Sequence, residues 1–201
     1  DTAPTGIFFN GTGDKMYMVG AGNNDRIHQY NLTQAWNLST ATYDNVNFTI
    51  TNQGANHSGM FINSSGERMY VIIHPSDFNI TIHQYTMSSP WNLSTATYDN
   101  IQFNVSVSGN GAIEAGKDVF VGNNGTKMYV IDNDAGGGAA DRVYQYSMSQ
   151  AWNLSTISYD NVNFSVNTQE TASQALFFNG TGTRMYTLGA SADRVFQYSM
   201  S

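Results

Sequence analysis

An all-β protein assembled from four copies of one strand-rich unit is the prediction of this sequence, and three observations carry it. Short strings recur in the same order: Met-Tyr at Met16-Tyr17, Met69-Tyr70, Met128-Tyr129 and Met185-Tyr186, then Gln-Tyr at Gln29-Tyr30, Gln84-Tyr85, Gln145-Tyr146 and Gln197-Tyr198. Trp-Asn-Leu-Ser-Thr starts at Trp36, Trp91 and Trp152, spaced by 55 and 61 residues, and Tyr-Asp-Asn follows at Tyr43, Tyr98 and Tyr159. Within a unit, apolar residues alternate with polar ones, and no segment shows a capped helical period. The repeats fall near 2–53, 54–110, 111–169 and 170–201, in a single domain. The fourth stops after its Gln-Tyr, without the Trp string or the strand that follows it.

Each strand has a local reason. Ile7-Phe8-Phe9 is a short apolar run closed by the turn residues Asn10-Gly11-Thr12-Gly13. Lys15–Val19, rich in Met, Tyr and Val, is the second strand and ends at a Gly-Asn turn over 20–24. Arg26–Leu32 is the third. In the fourth, Val46, Phe48 and Ile50 alternate with Asn47 and Thr49, the pattern of a half-buried strand. Four strands per unit of this length predict the blades of a β-propeller, since solenoids of this period are mostly helical and β-helix repeats far shorter. Three four-stranded blades and one three-stranded blade are expected, closing as a small four-bladed propeller or forming a slice of a longer one.

The strings Phe-Phe-Asn-Gly-Thr-Gly-Asp-Lys-Met-Tyr (8–17), Asp-Arg-Val-Tyr-Gln-Tyr-Ser-Met-Ser (141–149) and Trp-Asn-Leu-Ser-Thr resemble tandem propeller repeats of microbial and phage surface proteins. Those are similar in turn to the lactonase-like, YVTN and NHL propellers. The resemblance spans essentially the whole chain and implies the fold, not a chemistry. One departure stands out: the acidic residue common after the Trp is Asn in all three copies, and each change creates an N-glycosylation sequon.

Composition narrows the partners. Only 11% of residues are charged and the net charge is −7, which argues against nucleic acid or an anionic membrane as partner. No apolar run reaches the length of a membrane-spanning helix, and there is no cysteine. The opening Asp1-Thr2-Ala3-Pro4 reads as a processed product, and the expected location is extracellular or at the cell surface. Sequons occur at Asn10, Asn31, Asn37, Asn47, Asn56, Asn63, Asn79, Asn92, Asn104, Asn124, Asn153, Asn163 and Asn179. Chance pairing of 23 Asn with 38 Ser and Thr would give about four or five, so the thirteen are read as glycan carriers on turns and outward strand faces.

The candidates for chemistry mostly dissolve on alignment of the copies. His28 and His83 correspond to Tyr144 and Phe196, so that position wants a flat ring. His57 and His74 lack the spacing of zinc ligands. Asp25, Asp141 and Asp193 precede Arg in three copies and read as a turn or as an Asp–Arg pair between blades. Asp44, Asp99 and Asp160 read as turn residues. Asp132-Asn133-Asp134 resembles the start of a calcium loop but lacks its Gly and distant Glu. Trp36, Trp91 and Trp152 read as packing, as do the four repeated Met. Glu67, Glu114 and Glu170 fall at unrelated places.

No active site emerges, and the expectation is a non-enzymatic, heavily N-glycosylated structural protein of a surface filament or coat. The alternative is an adhesin or carbohydrate-binding propeller, and a lactonase-like enzyme, permitted by fold analogy alone, ranks a distant third. No metal and no cofactor beyond covalent N-glycans is expected. The bare edge of the fourth copy, Arg194, Val195, Phe196, Gln197, Tyr198, Ser199 and Met200, is expected to be completed by a neighbouring subunit or a longer chain, giving head-to-tail self-association into a homopolymer.

Overall fold

The computed structural model describes residues 3–20, 25–54, 56–76, 79–107, 109, 112–133 and 141–200. Four antiparallel meanders make up the chain. The first is β1 (Pro4–Phe9), β2 (Lys15–Gly20), β3 (Arg26–Leu32) and β4 (Ala41–Thr49). The second is β5 (His57–Ile62), β6 (Arg68–Ser76), β7 (Asn79–Met87) and β8 (Ala96–Asn104). The third is β9 (Gly116–Gly122), β10 (Lys127–Asp132), β11 (Arg142–Met148) and β12 (Ile157–Ser165). The fourth has only β13 (Ser173–Phe178), β14 (Arg184–Gly189) and β15 (Arg194–Ser199). This is a four-bladed β-propeller with three blades of four strands and one of three, as the repeats predict. No described residue is α-helical; the helical content is short 3-10 turns of three residues each.

The outer strand starts earlier than alternation alone suggests, at Ala41 rather than Val46. Gln29 pairs with Val46 but Tyr30 pairs with Tyr43, so Asp44 and Asn45 bulge out of the ladder. Asn45 sits in the left-handed region at φ 55°, and Asn100 (58°) and Asn161 (56°) repeat the device. A bulge breaks the period of two and hides the first half of the strand from a pattern reading.

The Trp string has a structural explanation. Asn37, Asn92 and Asn153 cap the 3-10 turns Leu38–Thr40, Leu93–Thr95 and Leu154–Thr156, each Oδ1 accepting a serine N–H at 3.1 Å. Each preceding Trp lies over the turn glycine of its own blade: its N–H donates to the carbonyl of Gly13, Gly66 or Gly125 at 2.9 Å. A Cβ on those glycines would meet the indole at 2.3, 2.6 and 2.3 Å.

The first two junctions between blades share one repeated seam, whereas the third, without a Trp string in the fourth blade, is made by Phe120 and Tyr129 against Phe177 and Phe178. Phe8 stacks with Trp91 (centroids 6.4 Å apart, 16° between planes), and Phe61 stacks with Trp152 (6.5 Å, 10°). The Tyr17 hydroxyl donates to the Trp91 carbonyl at 2.6 Å, and Tyr70 to that of Trp152 at 2.7 Å. Gln29 Oε1 accepts the Leu93 N–H at 2.8 Å, and Gln84 Oε1 the Leu154 N–H at 2.7 Å. The other end of each glutamine donates to its own blade's Asp44 (2.6 Å) or Asp99 (2.7 Å). Met-Tyr, Gln-Tyr, Tyr-Asp-Asn and the Trp string are therefore parts of one joint. Leu93 is fully buried in it, and Leu93→Ala is expected to cost about 2–5 kcal/mol in urea unfolding.

The core consists of the apolar seams between blades: Tyr17, Val19, Ile27, Met60 and Leu93 between the first two, Tyr70, Ile72, Ile82, Val119 and Leu154 between the next, and Ile131, Val143, Leu176 and Met185 between the last. Among the described residues no such cluster joins the fourth blade to the first. Ile7, Trp36 and Leu38 of the first blade and Phe177, Leu188 and Val195 of the fourth are exposed there.

Candidate functional site at the channel mouth

The inner strands β1, β5, β9 and β13 lie side by side about the axis. Aligning the copies stacks their residues in tiers. Phe8, Phe61, Phe120 and Phe177 share one tier and meet edge to face in sequence, with centroids 5.5, 5.3 and 5.8 Å apart. Three residues nearer the strand starts, the tier is polar: Thr5, Ser58, Lys117 and Gln174. They border a cavity of about 380 Å³ together with Pro4, Asn56, His57 and His74.

Ser58 Oγ donates to the Gly116 carbonyl at 2.9 Å, and His74 Nε2 lies 3.0 Å from the same oxygen and 3.2 Å from Ser58 Oγ. A carbonyl only accepts, so this nitrogen carries the proton, and His74 is a donor here rather than a base toward Ser58. Burial, then the charge of Lys117, pushes the His74 pKa down and keeps the ring neutral. His57 is buried below, its Nδ1 3.4 Å from Asp25 Oδ1; burial pushes its pKa down against the pull of Asp25.

The tier between mouth and apolar wall is Gly6, Gly59, Asp118 and Ala175. Asp118 is its one charged group. A Cβ on Gly59 would lie 2.3 Å from Asp118 Oδ1, so the glycine leaves the room that the carboxyl takes. Oδ1 accepts the Val119 N–H at 2.9 Å and Oδ2 the Leu176 N–H at 3.0 Å. Burial nevertheless dominates those bonds and raises the Asp118 pKa to about 7. A carboxyl divided between its two protonation states near neutrality, one residue from an ammonium at a cavity, can accept and return a proton. Among the described residues no group of three His, Cys, Asp or Glu is placed to hold a metal.

Sequence reasoning passed over Lys117 and Asp118. The signal was available in the aligned copies: Thr-Gly, Ser-Gly and Gln-Ala stand where the third has Lys-Asp. Copy-specific acids were sought in loops, not in a strand facing the axis.

The residues singled out from sequence are dispersed. Asn47, Asn56, Asn124 and Asn163 are exposed; Asn31, Asn37, Asn79, Asn92, Asn104, Asn153 and Asn179 are half-buried. Asn10 and Asn63 are buried in their turns, Asn10 donating to Asp14 Oδ1 at 2.7 Å and Asn63 Oδ1 accepting the Glu67 and Arg68 N–H groups. The strand edge Arg194–Met200 lies far along the fourth sheet as its outer strand, with Val195 among its exposed residues. Asp25 and Asp141 reach the following blade, at His57 and at the Ser173 N–H (2.7 Å). Asp132 accepts the Ala115 N–H at 2.8 Å, while Asp134 lies outside the described residues. His28 and His83 pack on Tyr43 and Tyr98, as flat rings should.

Comparison of the sequence with protein families and with curated proteins finds no match. The structure does match solved ones. A Pseudomonas aeruginosa periplasmic gluconolactonase is 10% identical over 98% of this chain and 50% of its own, TM-score 0.59. A Bacteroides uniformis protein assigned as a 6-phosphogluconolactonase is 11% identical over 97% of this chain and 52% of its own, TM-score 0.58. A luciferin-regenerating enzyme is 15% identical over 100% and 56%, TM-score 0.56. The chain thus spans about half the length of these structures.

Two expectations are corrected by this. The chain was expected to be no enzyme, and to be a non-enzymatic filament or coat protein with adhesion as the alternative. The fold it shares is one on which lactonases and a luciferin-regenerating enzyme are built, and its third blade carries the copy-specific Lys117–Asp118 pair that those expectations assumed absent. No helix among the described residues is long and apolar enough to cross a membrane. In fold, the chain is a β-propeller of four blades.

Proposed function

We propose that this propeller hydrolyses a small, hydroxyl-rich cyclic ester at the channel mouth. The carrying observation is Asp118, a carboxyl with its pKa raised to about 7, set in the channel wall beside the cavity of Lys117, Ser58 and His74. The gluconolactonase among its structural neighbours supports the choice of a lactone. Asp118 takes a proton from the attacking water as its oxygen bonds to the ester carbon. Lys117 stabilises the negative charge that develops on the carbonyl oxygen. The ring C–O bond then breaks, and Asp118 returns the proton to the departing ring oxygen, leaving an open hydroxy acid. Thr5, Ser58 and Gln174 supply hydroxyl and amide partners for substrate hydroxyls.

A pH-stat assay on glucono-δ-lactone and simple γ-lactones tests this. Saturable hydrolysis above the buffer rate is expected, with Asp118→Asn lowering kcat by about 10²–10⁴-fold. No acceleration, or an unaffected variant, would overturn it. The proposal extends to an exported chain carrying N-glycans at its exposed sequons, Asn47 and Asn163 first, since both are exposed on outer strands. Native material should then exceed the bare 22.0 kDa in intact mass.

A further inference from the structure

We propose that the channel mouth binds the anion of a small polyhydroxy acid, with its carboxylate on Lys117 and its hydroxyls on Thr5 and Ser58. The ring-opened product of the hydrolysis proposed above is such an anion, so it would compete with the lactone for the same cavity. The competition rests on that reading; the binding does not.

The backbone singles out this tier. Each inner strand breaks its ladder here: from Pro4 to Gly6 in β1, from His57 to Met60 in β5, from Gly116 to Asp118 in β9 and from Ser173 to Ala175 in β13. The residues left out of the pairing include Thr5, Ser58, Lys117 and Gln174, and these four border one cavity of about 380 Å³. A bulge re-aims a side chain that regular pairing would direct elsewhere. The device recurs in every blade, yet its residue differs in each, whereas the apolar tier repeats Phe8, Phe61, Phe120 and Phe177. One scaffold thus presents four different polar groups to one space.

Hydrogen-bond accounting says what that space takes. Thr5 Oγ1 donates to the Ser58 carbonyl at 3.1 Å, and Ser58 Oγ donates to the Gly116 carbonyl at 2.9 Å. With their protons engaged, both hydroxyl oxygens can only accept from a ligand. Gln174 Nε2 donates to the Ala172 carbonyl at 3.3 Å, which leaves its Oε1 as a further acceptor. Lys117 is the permanent charge among the described residues that border the cavity, and none of the ion pairs among the described residues involves it. His57 and His74 are kept neutral by burial. Thr5, Ser58 and Lys117 lie on three inner strands that are neighbours in turn, β1 beside β5 and β5 beside β9. Their complement is a molecule with hydroxyl donors along one side and a negative group at the end. A neutral polyol would leave the ammonium without a counter-charge, and a bare carboxylate would leave the hydroxyl oxygens without donors. A polyhydroxy acid satisfies both. Opening a lactone creates that charge where the substrate had none, so the ammonium that meets the developing oxyanion also meets the finished carboxylate.

Isothermal titration calorimetry of the full chain with sodium gluconate, sodium acetate and sorbitol tests this. One gluconate per chain is expected, bound at least about tenfold more tightly than acetate or sorbitol. Lys117→Met should weaken gluconate about 10–100-fold through loss of a charge-assisted hydrogen bond, whereas Lys117→Arg should keep most of the affinity. Both variants should retain the β-sheet circular dichroism of the wild type. Gluconate bound no better than sorbitol and acetate, or Lys117→Met binding it like the wild type, would overturn the proposal. The two readings fail separately. Gluconate binding without lactone hydrolysis overturns the reaction and supports the anion site, and hydrolysis without gluconate binding overturns the anion site and supports the reaction.

Discussion

Gly66→Ala is expected to remove about 2–5 kcal/mol of stability, a large part of the 5–15 kcal/mol a domain usually has. Gly66 adopts φ 75°, a left-handed conformation that costs an L-residue about 1–2 kcal/mol. The added methyl would also lie 2.6 Å from the Trp91 indole, and overpacking of this kind costs a further 1–3 kcal/mol, roughly. The indole cannot step aside freely. Its backbone donates to the Gly66 carbonyl and accepts the Tyr17 hydroxyl, and its ring stacks on Phe8. One methyl therefore strains a turn and a blade seam together. Gly11→Ala is the control: nothing lies within 4 Å of its Cβ and its φ is not positive, so its effect should stay within about 0.5 kcal/mol. Urea titration of both variants measures the difference, and equal midpoints would contradict the account.

The second large effect is acid sensitivity at His83. The ring is buried on β7, 5.4 Å from Tyr98, with Nε2 2.8 Å from Thr81 Oγ1. Burial, with a smaller contribution from His57, pushes its pKa down to about 4 from 6.5. The unfolded chain then binds a proton below pH 6.5 that the folded chain refuses until about pH 4, so stability falls across that window as pH is lowered. The loss on this account is about 3 kcal/mol. His83→Phe, which copies Phe196 of the fourth blade, should cost about 1 kcal/mol at pH 7 through the lost hydrogen bond and flatten the fall between pH 6.5 and 4. His57 and His74 are depressed in the same direction and keep part of the acid limb in place. Glu170, held down to about 2 by N–H and hydroxyl donors around residues 172–192, adds a loss only below pH 4.5. Asp118 acts oppositely: its raised pKa favours the folded state at low pH, and that contribution is lost as pH rises from about 4 to about 7. Thermal unfolding of both proteins from pH 4 to 8 reads the difference.

Most of the fold was legible because each blade repeats the same solution. Met-Tyr, Gln-Tyr and the Trp string mark one joint, so their recurrence located the blades before any contact was known. The early start of β4 at Ala41 was not legible, since the Asp44–Asn45 bulge interrupts alternation where the strand continues. Nor was the double role of Gln29, whose amide spans Asp44 and the next blade's Leu93. Asp118 was missed for a different reason. Repetition drew attention to what the copies share, whereas the candidate chemistry sits at a position where three copies carry Gly6, Gly59 and Ala175 and one does not. The exposure of Trp36 against the cover over Trp91 and Trp152 depends on which blades are neighbours, and identical strings cannot report that.

The proposed chemistry requires a carboxyl in the channel wall poised to exchange a proton near neutral pH. Site-specific carbon-13 NMR titration of the Asp118 carboxyl measures this directly. A midpoint of about 7 is expected, matching the pH at which lactone hydrolysis rises to half its plateau. A midpoint near 3.8, the ordinary value for an aspartate, would contradict the account.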